Sequence, residues 1–384
     1  MRIPLSAPDI DEADIEAVVG VLRTSRLALG PKMEELEEAV ASYAGVPYGV
    51  ALASGTAGLH LGLAALGIGE GDEVILPSFT FIAAGNAVLY RRATPVFADI
   101  DPFTLNLNPE SVARAITPRT RAIIVVHTFG RPADLDPLLR LAAAHGLRVI
   151  EDACEALGAE YRGRRVGGFG DLGVFGFYPN KQITTGEGGM LVTRDRQLAE
   201  AVRALRNQGR RPTDGWLDHS LLGYNYRLPE ISCALGLSQL NRIDSILARR
   251  ENRARCYAEH LRTIPEVALP VFEIDGGRVS WFVFVVRLQD RDAILRYMVS
   301  RGIACGRYFA PIHRQPLYAA YADRAGDLTV TDQVAPRTLA LPFFNRITDD
   351  QIAEVCLTLR DAIAERKEGA PPSSAVEPVP KHSL

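Results

Sequence analysis

Apolar and polar residues alternate in two kinds of block between residue 46 and about residue 200. Short apolar runs of the β type are each followed by a segment with helical periodicity. In chain order the pairs are VPYGVALA with TAGLHLGLAALG, EVILP with FIAAGNAVLY, PVFADI with NPESVARAI, and AIIVVH with DLDPLLRLAAAHG, after which RVIEDA follows. Nearly continuous apolar strands that alternate with helices form parallel sheets covered on both faces. The pattern predicts a doubly wound α/β domain.

The pattern changes further along the chain. Between Leu172 and Thr193 the helical period disappears and glycine and β-forming residues dominate, which predicts short strands joined by a loop. A helical stretch runs from Pro229 to about Ile264, and WFVFVVRL, RDAILRYMVSRG and ITDDQIAEVCLTLRDAIAERK indicate a smaller α+β domain. We predict a large α/β domain with an N-terminal arm over 1–245, a small C-terminal domain over 246–368, and a disordered tail rich in Pro, Ser and charge over 369–384.

Composition narrows the class of protein. The chain has 384 residues, of which 47% are hydrophobic and 23% charged, as in a soluble globular protein of about two domains. A formal net charge of −3 and the lack of a basic stripe argue against a nucleic-acid partner. MRIPLSAPDIDEAD lacks signal-peptide features, and no apolar run reaches the ~18 residues of a membrane span. Five cysteines without C-x-x-C and seven histidines without ligand spacing predict no metal site and a cytoplasmic location.

Lysine is scarce in this chain. Of 43 basic side chains only four are lysines, and they are Lys32, Lys181, Lys367 and Lys381. Arginine serves equally well for surface charge, but its guanidinium stays protonated and cannot act as a free amine nucleophile. The isolated Lys181, in FGFYPNKQITTGEGGM, therefore suggests amine chemistry. A solvated lysine in a turn is the alternative, so the neighbouring residues have to decide.

Residues that end strands are the next candidates, because ligands of open α/β sheets lie beyond the carboxyl ends of the strands. ASGTAG, Ala53 to Gly58, ends one strand and opens a helix whose free amides favour a phosphate, although small residues there also serve as ordinary caps. Asp152 ends RVIEDA and is either a functional carboxylate or a structural acceptor, and Phe81 follows a strand end, where core packing is the alternative. An amine, a carboxylate for a ring nitrogen, an aromatic face and a phosphate-binding helix start are together what pyridoxal phosphate requires.

Five segments carry a family resemblance. In order, SGTAGLHLGL, EDACEALGAEYRGRRVGGFGDLG, FGFYPNKQITTGEGGM, LGYNYRLPEI and YFAPIHRQPLY resemble the DegT/StrS-type sugar aminotransferases, over about residues 1 to 365. The resemblance implies the fold of type I pyridoxal-phosphate enzymes, the aspartate aminotransferase superfamily. It also implies a homodimer with shared active sites and a substrate that is usually a nucleotide-linked keto sugar.

The resemblance implies roles for five residues of these segments. Lys181 is similar to the lysine that forms an imine with the cofactor and shuttles protons, and Asp152 to the partner that keeps the pyridine nitrogen protonated. Gly55 and Thr56 resemble the phosphate-binding residues, and Phe81 resembles the aromatic residue that stacks on the ring.

Other positions either extend the resemblance or depart from it. Asn225 and Arg227 of GYNYR resemble residues that reach the phosphate from the neighbouring subunit. His313 of APIHRQP is similar to a residue that faces the sugar nucleotide, with a structural histidine as the alternative. Gly176 stands where many members have a phosphate-binding serine, and Glu155 where many have a glutamine near the ring hydroxyl.

Two further signals are rejected. GFGDLG, residues 168–173, matches G-x-G-x-x-G, but it follows the polar GRRVG and precedes the strand-like VFGFYPN, whereas a dinucleotide fingerprint follows a strand and opens a helix. Cys154 has no histidine in a recognisable pairing, so we interpret it as a small buried hydrophobe rather than a nucleophile.

The predicted reaction is ping-pong transamination from an amino donor, expected to be glutamate, to a keto group of a nucleotide-linked sugar. Lys181 is the predicted general base and acid. One alternative is dehydration or epimerisation of the sugar, against which Lys181 argues because the family's dehydratases are expected to lack this lysine. The other is a non-catalytic regulator or sensor with the same fold.

Overall fold

The computed structural model describes residues 2–211, 214–215, 218–324 and 326–367, so the predicted disordered tail over 369–384 lies outside the described residues. The strands are β1 (Tyr48–Leu52), β2 (Glu73–Pro77), β3 (Thr94–Ala98), β4 (Thr120–Val126), β5 (Arg148–Asp152), β6 (Glu160–Tyr161), β7 (Arg164–Arg165), β8 (Leu172–Gly176), β9 (Gly189–Thr193), β10 (Phe284–Arg287) and β11 (Thr338–Leu341). The α-helices are α1 (Glu12–Leu22), α2 (Pro31–Ala44), α3 (Gly55–Ala65), α4 (Ala83–Tyr90), α5 (Pro109–Ala115), α6 (Leu135–His145), α7 (Arg196–Arg206), α8 (Glu230–Asn241), α9 (Ile243–Leu261), α10 (Arg291–Ser300), α11 (Thr329–Val334) and α12 (Asp349–Lys367). Short 3-10 helices cover Thr128–Gly130, Ile312–Arg314, Pro316–Arg324 and Ala335–Arg337.

One sheet of seven strands, in the order β1-β9-β8-β5-β4-β2-β3, forms the centre of the larger unit. Five neighbouring strands, from β8 to β3, run parallel, and β9 runs antiparallel between β1 and β8. Every strand of the predicted alternation up to RVIEDA is present, and so is the helix after each of the first four. The prediction of a mainly parallel, doubly wound sheet is confirmed.

Helix α3 approaches the sheet closely at two of its three glycines, Gly58 and Gly62. A Cβ atom added at Gly58 would lie 2.6 Å from Cγ1 of Val174 in β8, and one added at Gly62 would lie 3.0 Å from Cδ1 of Leu172. Ser54 caps the helix by accepting a hydrogen bond from the amide of Ala57 at 3.1 Å. The N-terminus of α3 is thereby fixed beside the end of β8.

A second hydrophobic core lies around the antiparallel pair β10 and β11, with side chains from α10, α12 and the end of α9. Ile3 of the N-terminal arm belongs to this core. The predicted boundary between residues 245 and 246 falls inside α9, where Ile246 packs in the larger core and Tyr257 in the smaller one. The predicted domain limits themselves stay a prediction.

Two details differ from the sequence-based expectation. The helical stretch from Pro229 to Ile264 is divided at Arg242, whose ψ of 17° separates α8 from α9 without a glycine or proline to mark the break. Of WFVFVVRL only Phe284–Arg287 forms a strand, and Trp281 at the start of the segment adopts a left-handed φ of 50°. Within the described ranges, no helix combines the length and apolar character needed to cross a membrane.

Candidate active site

A cavity of about 400 Å³ opens beyond the carboxyl ends of the central strands. Val126, Asp152 and Gly176, the last residues of β4, β5 and β8, contribute to its wall. The start of α3 contributes Gly55 and Thr56 to the same wall. The cavity therefore lies where the sheet topology and a helix N-terminus place a ligand site.

Lys181 enters this cavity from the loop between β8 and β9, as the sequence predicts. A turn holds the loop, because the Lys181 amide donates to the carbonyl of Tyr178 at 2.9 Å. Its amine Nζ lies 3.8 Å from Oε1 of Glu155 and 3.8 Å from the centroid of the Phe282 ring. The side chain is 15% exposed, so the amine is enclosed rather than solvated as a surface turn lysine would be.

Asp152 presents its carboxyl group to the cavity from the end of β5. Its Oδ1 accepts a hydrogen bond from the Cys154 amide at 3.2 Å. Burial raises the pKa of Asp152, while hydrogen bonds from Cys154 and the charge of Lys181 act to lower it. A cationic ring nitrogen would supply the paired positive charge that a buried carboxylate needs.

The residue before Asp152 points to the opposite face of the strand and anchors it. Oε1 and Oε2 of Glu151 accept amide hydrogen bonds from the segment 167–170, and Nε2 of His127 lies 3.1 Å from Oε2. Nδ1 of His127 accepts from the Ala133 amide, so the proton is on Nε2. Burial acts to raise the pKa of Glu151, but these hydrogen bonds hold it below the ordinary value. The contact between Glu151 and His127 was not predicted, because its signal in the sequence is no more than the ED doublet at a strand end.

The segment 167–170 overlaps GFGDLG, the glycine motif rejected as a dinucleotide fingerprint. After the motif the chain continues in β8 rather than in a helix, and the amides of Phe169 and Gly170 are directed to Glu151. A phosphate-binding glycine loop would instead lead into a helix N-terminus.

The start of α3 suits an anion, and glycine is favoured at position 55 because Cys154 lies close to it. First-turn amides of a helix have no intrahelical partner, so those of Gly55 and Thr56 are left for a ligand at the cavity wall. A Cβ atom at Gly55 would lie 2.5 Å from Sγ of Cys154, and one at Gly176 would lie 3.3 Å from Cβ of the same residue. Cys154 thus occupies the space between the two glycines. A side chain at Gly176, where the family pattern has serine, would have to pack tightly against Cys154.

Glu155 is the second carboxyl group in the cavity. Its Oε2 accepts a hydrogen bond from the Phe129 amide at 2.9 Å, while Oε1 faces the Lys181 amine. Burial raises the pKa of Glu155 to about 7, although the charge of Lys181 opposes this shift. A glutamate at this position therefore differs from the glutamine of the family pattern mainly above neutral pH, where it is ionised.

Aromatic side chains form much of the remaining wall. Phe81 lines the cavity and is 58% exposed, so its ring is available to a ligand rather than buried in the core. Tyr178, Phe282 and Tyr308 also line the cavity. These three were not predicted: Tyr178 lies in the turn that carries Lys181, whereas Phe282 and Tyr308 reach the site from distant parts of the chain.

Three predicted residues do not line this cavity. Arg227 donates from Nη1 to Oδ1 of Asn207 at 2.8 Å, and Asn225 forms a backbone bridge with the same residue. His313 has both ring nitrogens engaged, with Nδ1 at 2.7 Å from Oγ of Ser78 and Nε2 near a carboxylate of α11. Their predicted roles toward cofactor and substrate stay predictions.

The four parts required for pyridoxal phosphate meet in this one cavity. The Lys181 amine, the Asp152 carboxyl group and the exposed Phe81 ring share its wall with the amides at the start of α3. A buried carboxyl group that forms no ion pair with any described residue and a glycine-lined helix start fit the ring nitrogen and the phosphate of this cofactor. The fold and the site together define the pocket of a pyridoxal-phosphate enzyme.

Comparisons with known proteins support the assignment to the pyridoxal-phosphate enzymes. A model of the DegT/DnrJ/EryC1/StrS aminotransferase family matches residues 8–360. The chain is 41% identical over 365 residues to the GDP-perosamine synthase of Caulobacter vibrioides, covering 93% of this chain and 97% of that protein. It is 41% identical over 357 residues to the UDP-N-acetyl-3-dehydro-alpha-D-glucosamine 3-aminotransferase of Acidithiobacillus ferrooxidans, covering 92% and 94%. The crystal structure of S. venezuelae DesV in complex with a ketimine intermediate matches with a TM-score of 0.87 and 38% identity, covering 96% of this chain and 100% of that one.

The chain belongs to the DegT/DnrJ/EryC1/StrS aminotransferase family. The predicted family and fold class are confirmed, and so is pyridoxal phosphate as the cofactor. The chain is therefore a pyridoxal-phosphate-dependent aminotransferase.

Proposed function

We propose that this enzyme transfers an amino group to a keto group of a nucleotide-linked sugar, with glutamate as the amino donor. The observation that carries the proposal is the enclosed Lys181 amine in one cavity with Asp152 and the start of α3. Two relatives with 41% identity, named above, have names that specify GDP- and UDP-linked sugars, which supports the substrate class. A retained lysine supports transamination over dehydration of the sugar.

The residues divide the chemistry among them. When bound, pyridoxal phosphate supplies an electron sink and carries the amino group between the two substrates. Nζ of Lys181 would remove a proton from the substrate carbon that carries the amino group and would return it later in the transfer, acting as base and then as acid. The Asp152 carboxylate stabilises positive charge on the ring nitrogen, and Phe81 orients the ring. Because both substrates use the same site in turn, the kinetics are ping-pong.

We further propose a homodimer in which Asn225 and Arg227 reach the phosphate of the neighbouring subunit. Neither residue lines the cavity of its own chain, which supports a role in trans. The forked guanidinium of Arg227 suits a phosphate, and such a charge-assisted bond is stronger than a neutral one. All five cysteines lie in the described part of the chain and are unpaired, which suits a reducing compartment and supports a cytoplasmic location.

A single-turnover assay tests the proposed reaction. The enzyme is converted with glutamate to its pyridoxamine-phosphate form, separated from glutamate, and mixed with a panel of GDP- and UDP-linked keto sugars. We expect at least one sugar to restore the pyridoxal-phosphate absorption and to gain an amino group, seen by mass spectrometry. Lys181→Arg, which keeps the charge without a usable amine, is the control and should not react. Turnover with simple keto acids but with no keto sugar would contradict the proposal.

A further inference from the structure

A buried arginine, Arg250 of α9, lies directly behind the active-site lysine. Only 3% of Arg250 is exposed. Its Nε donates to the carbonyl of Trp281 at 2.9 Å, and its Nη2 donates to the carbonyl of Phe282 at 3.2 Å. Nη1 donates to Oδ1 of Asn345 at 3.0 Å, and Nη2 lies 3.5 Å from the carbonyl of Asn180. Three of these four contacts are therefore with main-chain carbonyls.

A buried arginine at this position carries a free-energy cost that an apolar side chain would not. Burial of an ion costs several kcal/mol unless an opposite charge or full hydrogen bonding compensates it. Throughout the described ranges, no carboxylate forms an ion pair with Arg250; Asn345 instead bridges to Asp9, donating from Nδ2 to its Oδ2 at 3.0 Å. Burial lowers the pKa of Arg250 to about 10, with the charge of Asp9 acting in the other direction. An apolar residue would pack there without this cost, so the guanidinium is present for its hydrogen bonds.

The carbonyls that Arg250 binds are those that flank Lys181 in space. The ring of Phe282 lies 3.8 Å from Nζ of Lys181 and forms part of the cavity wall. Asn180 is the residue immediately before Lys181 in the loop. The Arg250 guanidinium thus contacts the main chain of Phe282, whose ring lies beneath the Lys181 amine, and the peptide bond that joins Asn180 to Lys181.

We infer that Arg250 is a positioning residue for the cofactor lysine: Nε and Nη1 hold the guanidinium in place, Nη2 fixes the main chain at Phe282 and Asn180, and these two residues keep the Lys181 amine enclosed and aimed into the cavity. The inference rests on the proposed role of Lys181. It predicts that the whole guanidinium is needed as well as its charge, because a lysine at 250 would keep a charge but not the separate Nε and Nη1 donors that orient Nη2.

The test measures the amine in the full-length protein stripped of cofactor. An amine-directed reagent such as trinitrobenzenesulfonate is applied briefly, and labelling of Lys181 is expressed relative to Lys32, which is 40% exposed and serves as an internal standard. In Arg250→Lys and Arg250→Met we expect this ratio to rise severalfold, because the amine is less enclosed. We also expect imine formation with added pyridoxal phosphate, followed by its absorption band, to slow about tenfold, the cost of losing roughly one hydrogen bond to a charged group.

Arg249→Met is the matched control. Arg249 is the neighbouring residue in α9, its side chain is 43% exposed, and it pairs with Asp9 at 3.1 Å, so its removal changes the same network without touching Phe282 or Asn180. We expect the labelling ratio and the rate of imine formation to stay at wild-type values in this variant. A lower melting temperature in the Arg250 variants with an unchanged labelling ratio would reduce Arg250 to a purely structural role and overturn the inference.

A second variant keeps the inference testable if both Arg250 variants fail to fold. Phe282→Leu removes the ring beneath the amine but keeps the carbonyl that Arg250 binds, and it should raise the labelling ratio in the same direction. An unchanged ratio in Phe282→Leu would overturn the inference. Failure of the proposed function is distinguishable, since in that case borohydride would trap no cofactor on Lys181 of the wild-type protein.

Discussion

At the scale of single residues, two buried carboxyl groups and the Lys181 amine line the site. Asp152 and Glu155 are both buried, and only Glu155 lies within 4 Å of Nζ of Lys181. Burial raises the pKa of both carboxyl groups, and for Glu155 it reaches about 7. Glu155 is therefore the carboxyl group whose charge changes near neutral pH, while the proposed partner of Asp152 is the cationic ring nitrogen of the bound cofactor.

The raised pKa of Glu155 predicts a pH-dependent stability. Between the ordinary value of 4.5 and about 7, Glu155 is protonated in the folded chain and ionised in the unfolded chain. The unfolded state then binds fewer protons, so the free energy of unfolding falls as pH rises through this window, by up to about 1.4 kcal/mol per pH unit. Above about pH 7 both states are ionised and this dependence ends.

The difference between wild type and Glu155→Gln isolates this contribution. Urea denaturation of the cofactor-free proteins from pH 5 to pH 8 should show the wild type losing stability relative to Glu155→Gln as pH rises. Glu110→Gln, a change at an exposed carboxylate in the first turn of α5, is the control and should leave the wild-type pH dependence in place. If wild type and Glu155→Gln gave parallel curves, Glu155 would not be a neutral acid in the folded chain.

Some residues of the site could be predicted from the sequence and others could not. Lys181 and Asp152 were predictable because composition isolates one and a strand end marks the other. Arg250, Phe282 and Tyr308 were not, because each reaches the site across more than sixty residues of chain. Long-range packing of this kind leaves no periodicity or motif in the sequence.

At the scale of elements, the start of α3 and the end of β5 approach each other through Gly55 and Cys154. The Cβ atom that any other residue would place at 55 would lie 2.5 Å from Sγ of Cys154, much closer than van der Waals contact. The position of the free amides at the start of α3 is thus set by a glycine on this helix and by a thiol two residues past the end of β5.

A double-mutant cycle tests this contact. Gly55→Ala should destabilise the protein by about 1–3 kcal/mol, as overpacking does, and should lower pyridoxal-phosphate affinity. Cys154→Ala removes Sγ and leaves its Cβ 3.7 Å from the added atom, so the double variant should recover most of the loss. Melting temperature and cofactor titration measure both effects. Gly20→Ala in α1, where nothing lies within 4 Å, is the control, and additive losses at 55 and 154 would disprove the coupling.

Elements differ in how well the sequence predicts them. The strands of the central sheet were predictable because both faces are buried, as in β2 and β8, where all five residues are buried. WFVFVVRL looks equally apolar, yet its first three residues, which begin with the left-handed Trp281, lie outside β10. Apolar character alone does not distinguish a strand from a buried turn.

At the scale of the whole molecule, α9 joins the two hydrophobic cores, and side chains from both parts of the chain enclose the amine. The proposed dimer extends this arrangement, since it completes each site with Asn225 and Arg227 of the other subunit. Cofactor retention should then depend on association of two chains.

Mixed dimers test the shared site. Arg227→Ala and Lys181→Ala subunits are each expected to be inactive alone. A dimer with one of each has one site that combines an intact Lys181 with an intact Arg227, so activity should return from that one site. Asn207→Ala, which removes the partner of Arg227 in its own chain but keeps the guanidinium, is the control and should stay active. An inactive mixed dimer, shown to have formed, would place both residues in the same subunit's site.

The central claim is that Lys181 carries the cofactor. Borohydride reduction of the enzyme with bound pyridoxal phosphate, followed by proteolysis and mass spectrometry, tests it most directly. We predict a pyridoxyl adduct on the peptide that contains Lys181, in a stoichiometry of one per chain, and none in Lys181→Arg. An adduct at another lysine, or no adduct on a chain that binds the cofactor, would contradict the account.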